Sequence, residues 1–579
     1  MTGRRRVSVP IGDEAWRWTT MPPERTVLLA GHNVTTFTRL LDIVPVFEND
    51  ARVQLVAADL EADPFRHGLA AAFERAGIII VSRKQARKTR FDLAISASHH
   101  GKLPAAAARR VILSHGIGYT KYPPTGDRGP GTGDRGPGTG DRGPGTGDRG
   151  PGTRDQGPFG LSPEWLLAKG RPVADTFVLS HPDQLRTVET LAPAALSAML
   201  VAGDPCLDRI VESLPLRDRY RAELGIGGRR LVVITSTWSR TSLLGKRPDL
   251  PRELLSELSP DSYCVALVLH PNISHGHGFA AVRQWYADCL RSGMLILDEI
   301  EGWRAGLVAS DVVIGDHGSV TGYAAALGRP TVLGAFDDVP PGTPISALGE
   351  LAPRLQLAGP YEDTIDAALA SRASDRFRPI AQLASSMPGE SLSVLRRHFY
   401  SLMKLSEPST EVSVAPVAAK NLATRGPAAG AHFVSGEADV EARTVQLARR
   451  AAEVQRTEFG GAADVHVNCS VDYPIRSLRT SAAVLNARPG DEGTDSEQWH
   501  AALFARYPSC AVSSLSSEGK ADVRLRSGPA LTLRAPGVAG EVLASIPYTW
   551  ANAGTDALAG AVELTLDGRT HRVEIEHSG

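Results

Sequence analysis

Between residues 26 and 335 short apolar runs alternate with amphipathic or small-residue stretches, and a chain with that rhythm buries its runs as parallel strands joined by helical crossovers. The first series reads VLLA (27–30), VQLVAA (53–58), GIIIV (77–81), DLAISA (92–97), VILS (111–114) and TFVLS (176–180). The second reads LVVITS (231–236), CVALVLH (264–270), GMLILD (293–298), DVVIG (311–315) and PTVLGA (330–335). Two α/β halves are therefore expected in the first 340 residues.

Beyond them the pattern is helical from 360 to 405, ending in SLSVLRRHFYSLMKL, after which Pro, Ala, Ser and Val dominate as in a linker. The organisation expected is a first Rossmann-like domain at 20–205, a second at 206–405, a linker at 406–430 and a small α+β domain at 431–579. In that last unit EADVEARTVQLARRAAEVQ (437–455) reads as a helix. VRLRS, LTLRA and AVELTLDGRTHRVEIE alternate like antiparallel strands, with Asp567-Gly568 as a turn. Residues 126–153 hold four copies of G-D-R-G-P-G-T, whose glycines miss the three-residue period of collagen. They read as a flexible, nearly neutral surface loop, the alternative being a mobile lid over a site marked by His115.

Composition excludes several classes. The chain of 579 residues carries 63 basic and 64 acidic side chains, so no global field recruits nucleic acid or an anionic membrane. Its five cysteines are odd in number, widely spaced and without a C-x-x-C pair, which argues against a disulfide framework or zinc knuckle and for a reducing, cytoplasmic compartment. Arg4, Arg5 and Arg6 are followed by acids rather than a continuous apolar segment, so no secretory signal is expected, and no apolar run reaches the ~18 residues of a membrane span.

ASDVVIGDHGSVTGYAAALGRPTVL (309–333) is the segment richest in chemistry. Its strand ends in Asp316, His317, Gly318 and Ser319, and a small-residue helix follows. Ligands of open α/β sheets bind at the carboxyl ends of strands, where the next helix offers unbonded N–H groups and the positive end of its dipole, a place suited to a diphosphate. Gly318 permits close backbone approach, Ser319 can donate a hydroxyl hydrogen bond, and Asp316 can hold a ribose or orient a neighbour. The alternative is that Asp316 and Ser319 simply cap a helix. His115 ends VIL in the first half and His270 ends CVALVL in the second, where Pro271 stops the strand. A histidine there serves as a base or as a cation beside a phosphate, or is satisfied structurally by a loop carbonyl. His275 and His277 lack an accompanying acid or cysteine at ligand spacing, so no metal is assigned. There is no P-loop, no G-x-G-x-x-G after the first strand and no G-x-S-x-G elbow, which disfavours ATPase, dinucleotide oxidoreductase and serine hydrolase chemistry.

Taken in order, His115-Gly116, Gly203-Asp204-Pro205-Cys206-Leu207-Asp208, Thr235-Ser236-Thr237-Trp238-Ser239-Arg240, His270-Pro271 and Asp316-His317-Gly318-Ser319-Val320 resemble the CDP-glycerol glycerophosphotransferase family, teichoic-acid type polymerases of the GT-B class. That family shows H-G-T, G-x-P-R-x-D, P-T-W-R, H-P and D-Y-S-S in the same order. The resemblance covers about residues 90–340 and implies two Rossmann-like domains across a cleft, the second binding the donor, with a helix from 375–404 packing back across the join. It implies His115 as general base near the acceptor and His270 as the second catalytic histidine, matching a position that holds the donor's phosphates. Thr237, Arg240, Asp316, Gly318 and Ser319 would bind the nucleotide and its phosphates, and no cofactor is called for. This chain departs from the pattern at Ile117 and Gly318, each replacing a hydroxyl, at Cys206 in place of an arginine, at Arg240 one place late and at Lys121, displaced along the loop. The thinned phosphate-binding set leaves a nucleotide sugar as alternative donor.

The function expected is therefore transfer of a glycerophosphate or glycosyl unit from a nucleotide-diphosphate donor to a cell-envelope or lipid-linked acceptor, without a nucleic-acid partner, in the cytoplasm or peripherally at the inner face of the membrane. A same-fold enzyme resembling UDP-N-acetylglucosamine 2-epimerase and a catalytically silent scaffold are the alternatives.

Overall fold

A computed structural model describes residues 11, 19–60, 68–99, 103–104, 107–114, 116–122, 157–371, 375–426, 430–455, 465–491, 495–554 and 558–578. The repeat at 126–153 and His115 lie outside the described residues.

The first domain is built on a parallel sheet. In chain order its strands are β1 (Arg25–Gly31), β2 (Val53–Asp59), β3 (Ile79–Ile80), β4 (Leu93–Ser96) and β5 (Arg109–Ile112); after a small hairpin of β6 (Leu167–Ala168) and β7 (Arg171–Pro172) come β8 (Thr176–Leu179) and β9 (Met199–Val201). The sheet order is β3-β2-β1-β4-β5-β8-β9. The second domain carries β10 (Arg230–Ser236), β11 (Tyr263–Leu269), β12 (Leu295–Leu297), β13 (Val312–Gly315) and β14 (Thr331–Leu333), all parallel, in the order β14-β13-β10-β11-β12. Helices cover both faces of such a sheet, so its strands are apolar along their length rather than alternating: all seven residues of β11 are buried, and so are the last six of β10.

Each sheet reverses direction once. The first grows from β1 through β2 to β3 and resumes with β4 on the other side of β1; the second grows from β10 to β12 and resumes with β13 on the other side of β10. At such a reversal the crossovers on either side diverge and leave a crevice above the carboxyl ends of the two central strands.

The helix Ser391–Met403 returns to the first domain, as the family resemblance implied. Leu392, Leu395, Phe399, Tyr400 and Met403 join that domain's core, and Tyr400 donates to Asp50 at 2.9 Å. The expected linker is partly a strand: β15 (Ala423–Arg425) pairs antiparallel with β12 at the sheet edge. Its Pro- and Ala-rich surroundings mark an absence of helix, and an extended edge segment satisfies that as well as a solvated tether does.

The C-terminal unit differs most from expectation. It is a closed eight-stranded barrel rather than a small α+β domain, formed by β16 (Ala431–Asp439), β17 (Thr444–Ala451), β18 (Val465–Ser470), β19 (Val484–Ala487), β20 (Val512–Leu525), β21 (Ala530–Ala539), β22 (Gly560–Leu566) and β23 (Arg569–His577). The segment 437–455, expected as a helix, is the end of β16, a tight turn and β17. Its Glu, Ala and Arg residues favour helix, but Val445, Leu447, Arg449 and Ala451 fall on one face at period two and are buried in turn. Pairing with β16 and β22 decides the outcome. The β22–β23 hairpin is as read, with Asp567 at φ 47° and Gly568 at φ 74°, the two positive angles of a type I′ turn. Gly568→Ala is expected to lower stability by about 1 kcal/mol, measured as a reduced denaturation midpoint. Among the described residues no helix is long and apolar enough to cross a membrane.

Candidate functional site

The reversal of the second sheet brings together most of the residues singled out from the sequence. Thr237 follows β10, and Asp316 to Ser319 follow β13 beside it. Asp316 is fully buried. Its Oδ2 accepts from the Thr237 amide and hydroxyl, each at 2.8 Å, and from the Leu243 amide at 2.9 Å; its Oδ1 accepts from the Gly318 amide at 3.0 Å. A carboxylate with four protein donors and no exposed surface does not grip a ribose. It fixes the 237–243 loop to the end of β13, the second of the two roles expected of it, orienting a neighbour.

Gly318 has no room for a side chain, because a Cβ there would lie 2.6 Å from the Thr237 methyl. Gly318 is the N-cap of the helix Ser319–Ala326 and supplies no side-chain cap. First-turn amides of such a helix are outside its own hydrogen-bond ladder and face an incoming anion.

The first domain reaches this helix end directly. The Ile117 amide donates to Ser319 Oγ at 3.3 Å, and a Cβ on Gly116 would sit 2.6 Å from the same oxygen. By accepting from Ile117, the Ser319 hydroxyl keeps its own proton for another acceptor. Lys121 belongs to the same corner. Burial pushes His317 below the ordinary imidazole value; Asp316 opposes that shift and Lys121 adds to it.

His270 lies two strands from Ser319, at the end of β11. Its Nδ1 accepts from the Asn272 amide at 3.1 Å, which leaves the ring proton on Nε2 in the neutral form. That tautomer donates a hydrogen bond from Nε2 and is the wrong one for an Nε2 base. Arg240 is exposed at the crest of the 237–243 loop. His275 bonds Glu299 at 2.7 Å, and His277 packs against Trp285 with ring centroids 4.9 Å apart.

Behind the helix end runs a narrow crevice of about 30 Å³, bounded by Arg39, Asp42, Ser114, Gly116, Ser180 and Asp204. Ser114 and Gly116 are the sequence neighbours of His115. The floor of the crevice is an ionic cluster joining the domains: Asp42 meets Arg304 at 2.8 Å, Arg39 at 3.3 Å and Arg209 at 3.3 Å, and Arg209 meets Glu301 at 2.9 Å. Burial works to raise the Asp42 pKa, yet Arg304, Arg39 and Arg209 together hold it below the ordinary aspartate value. Desolvation offsets most of the Coulomb gain of such a cluster, so its main effect is to fix how the domains face each other.

The G-D-P-C-L-D motif also proves architectural. Asp204 caps the helix Pro205–Glu212 through the Cys206 and Leu207 amides and accepts the Tyr323 hydroxyl at 2.7 Å, tying the domain junction to the Ser319 helix. Asp208 accepts from the Gly389 amide at 2.8 Å and the Ser391 amide at 3.2 Å, holding the start of the returning helix. Gly203, at φ 78°, passes so close that a Cβ would lie 2.6 Å from Ser391 Oγ. The residues missed from sequence are Arg39, Asp42, Arg304 and Tyr323. A charged or hydroxyl side chain inside an otherwise apolar helix, as Arg304 is in GWRAGLVA, is the signal that could have found them.

No family model matches this chain, and no curated protein matches it. Among solved structures it is similar to the wall teichoic acid polymerase TagF, at 12% identity over 66% of this chain and 90% of that one with TM-score 0.43. It is also similar to Anabaena HepE in complex with UDP-glucose, at 12% identity over 66% and 99% with TM-score 0.35. Similarity to S. aureus MnaA with UDP is 11% over 67% and 100%, with TM-score 0.38. At these values the likeness assigns no role to any residue, and the site rests on this chain's own geometry.

Proposed function

We propose that this chain is a GT-B transferase that moves a glycosyl or glycerophosphate unit from a nucleotide-diphosphate donor to an acceptor hydroxyl. The observation that carries this reading is the meeting of the reversal point of the second sheet with the first domain's β5 loop, marked by the Ile117 amide on Ser319 Oγ. An uncapped helix start, a serine hydroxyl with its proton to give and the Nε2 side of His270 supply donors for a diphosphate, and Lys121 supplies a cation at that corner. The attacking group approaches beside Ser114 and Gly116, the sequence neighbours of His115.

In glycosyl transfer the acceptor oxygen bonds to the sugar carbon as the bond from that carbon to the donor phosphate breaks, releasing a nucleoside diphosphate. In glycerophosphate transfer the oxygen bonds to phosphorus as the P–O–P bridge breaks, releasing a nucleoside monophosphate. In both cases the acceptor proton passes to His115, the base assigned by this reading. A cell-envelope or lipid-linked acceptor, and a location at the inner face of the membrane, rest on the motif resemblance.

Calorimetric titration with CDP-glycerol and with UDP- and GDP-sugars, UDP-N-acetylglucosamine included, tests the proposal. At least one should bind below millimolar concentration and turn over with an acceptor present. Ser319→Ala and His270→Ala should each weaken donor binding about 10- to 100-fold at an unchanged melting midpoint, the loss of one hydrogen bond to a charged group. Absence of binding by all donors at millimolar concentration refutes it; an epimerised sugar without transfer refutes the transferase assignment.

A further inference from the structure

Trp238 is 44% exposed on the loop that leaves β10 at the reversal of the second sheet. A single exposed aromatic residue is ordinary on a protein surface, but this one stands on a loop held at several points. The flanking amides of Thr237 and Leu243 both donate to the buried Asp316 carboxylate. Ser239, the next residue, has φ 129°, a left-handed conformation that a non-glycine residue keeps only under constraint. Its carbonyl accepts from Ser242 Oγ at 2.7 Å, and Gly245 packs so tightly that a Cβ would meet the Ser239 carbonyl at 2.2 Å. The ring lies near that of His270, with centroids 6.5 Å apart. A buried carboxylate, a strained serine and an obligatory glycine together present an indole beside His270, at the carboxyl ends of β10 and β11.

Its position relative to the phosphate site indicates the ligand. The first domain closes on Ser319 at the end of β13, so the transferred unit belongs on that side. The rest of a donor must extend the other way, across β10 towards β11, one strand spacing of about 4.8 Å at a time. Trp238 follows β10 and His270 follows β11. An exposed indole offers a flat apolar face, and the flat group of a nucleotide donor is its base.

We propose that Trp238 is the stacking platform for the nucleobase of the donor. This rests on the nucleotide-donor reading above. Stacking is sequence-tolerant because every base has a π-face, so Trp238 supplies affinity for a nucleoside as such rather than for one particular base.

The test compares CDP, UDP and inorganic pyrophosphate by calorimetry on the full chain. Wild-type protein should bind at least one nucleoside diphosphate more tightly than pyrophosphate. Trp238→Ala should weaken that nucleoside diphosphate about 5- to 100-fold, leave pyrophosphate unchanged and keep the melting midpoint, and Trp238→Phe should recover most of the loss. Unchanged nucleoside diphosphate affinity in Trp238→Ala overturns the stacking role while the donor reading stands. A wild type that binds no nucleoside diphosphate overturns both.

Discussion

Asp316→Ala should abolish nucleotide binding and cost on the order of 3–5 kcal/mol of stability, although the carboxylate touches no ligand. The substitution strands four donors in a fully buried place: the Thr237 amide and hydroxyl and the Leu243 and Gly318 amides. Each loses a bond to a charged acceptor and keeps its desolvation cost. The 237–243 loop, with Ser239 at φ 129°, then has nothing to hold its strain and relaxes away from β13. Asp316→Asn should fall between, since an amide oxygen still serves Thr237 and Leu243 while its NH2 is set against the Gly318 amide. Denaturant titration measures the stability loss and calorimetry the binding. Wild-type nucleotide affinity in a folded Asp316→Ala protein would show that the loop positions nothing.

That outcome bears on what could be read from residues alone. The two parallel sheets were legible because each strand is buried on both faces, and a run such as CVALVL has no second use in a soluble chain. β9 and β15 were not, since MLV and ATR are short, half-exposed edge segments whose pairing is set by neighbours distant in sequence. In the barrel, local preference pointed the wrong way. EARTVQLARRA is composed of good helix formers, and only the partners β16 and β22 make its alternation matter.

For the site, the sequence located junctions that the fold brings together and left the roles within them open. Asp316, Gly318, Ser319 and Thr237 do come together at one strand reversal, whereas the division of labour among them is a matter of atoms. Whether a buried aspartate binds a ligand or a loop depends on how many protein donors surround it. The interdomain cluster was harder to read: Asp42 and Arg209 look like ordinary members of amphipathic helices until the domains are placed face to face, and Arg304, alone in an apolar helix, is the one member that stands out.

Acidification should unfold the barrel well before it titrates the carboxylates. His432 on β16 and His466 on β18 are almost fully buried, and burial lowers their pKa values from 6.5 to about 3 and about 4; for His432 the nearby Arg449 adds to the shift and Asp261 opposes it. His466 is held neutral between Ser545 Oγ at 3.0 Å and the Tyr548 ring. Above pH 6.5 both imidazoles are neutral folded and unfolded, and stability is fully present. Below it the unfolded chain takes up two protons that the barrel refuses, so stability falls by up to ~2.7 kcal/mol per pH unit, on the order of 5 kcal/mol by about pH 4.5. Asp261, whose pKa is lowered because Arg449 and its hydrogen bonds outweigh burial, keeps its contribution through that interval and loses it only as pH drops below 3.8. Hydrogen exchange of peptides spanning β16 and β18 between pH 7.5 and about 4.5 reads this locally, apart from the other two domains. Protection should collapse in that window, and His466→Gln should remove about half of the pH dependence. Equal protection at pH 7 and 5, after correction for intrinsic exchange rates, would mean that the folded barrel accommodates both protons.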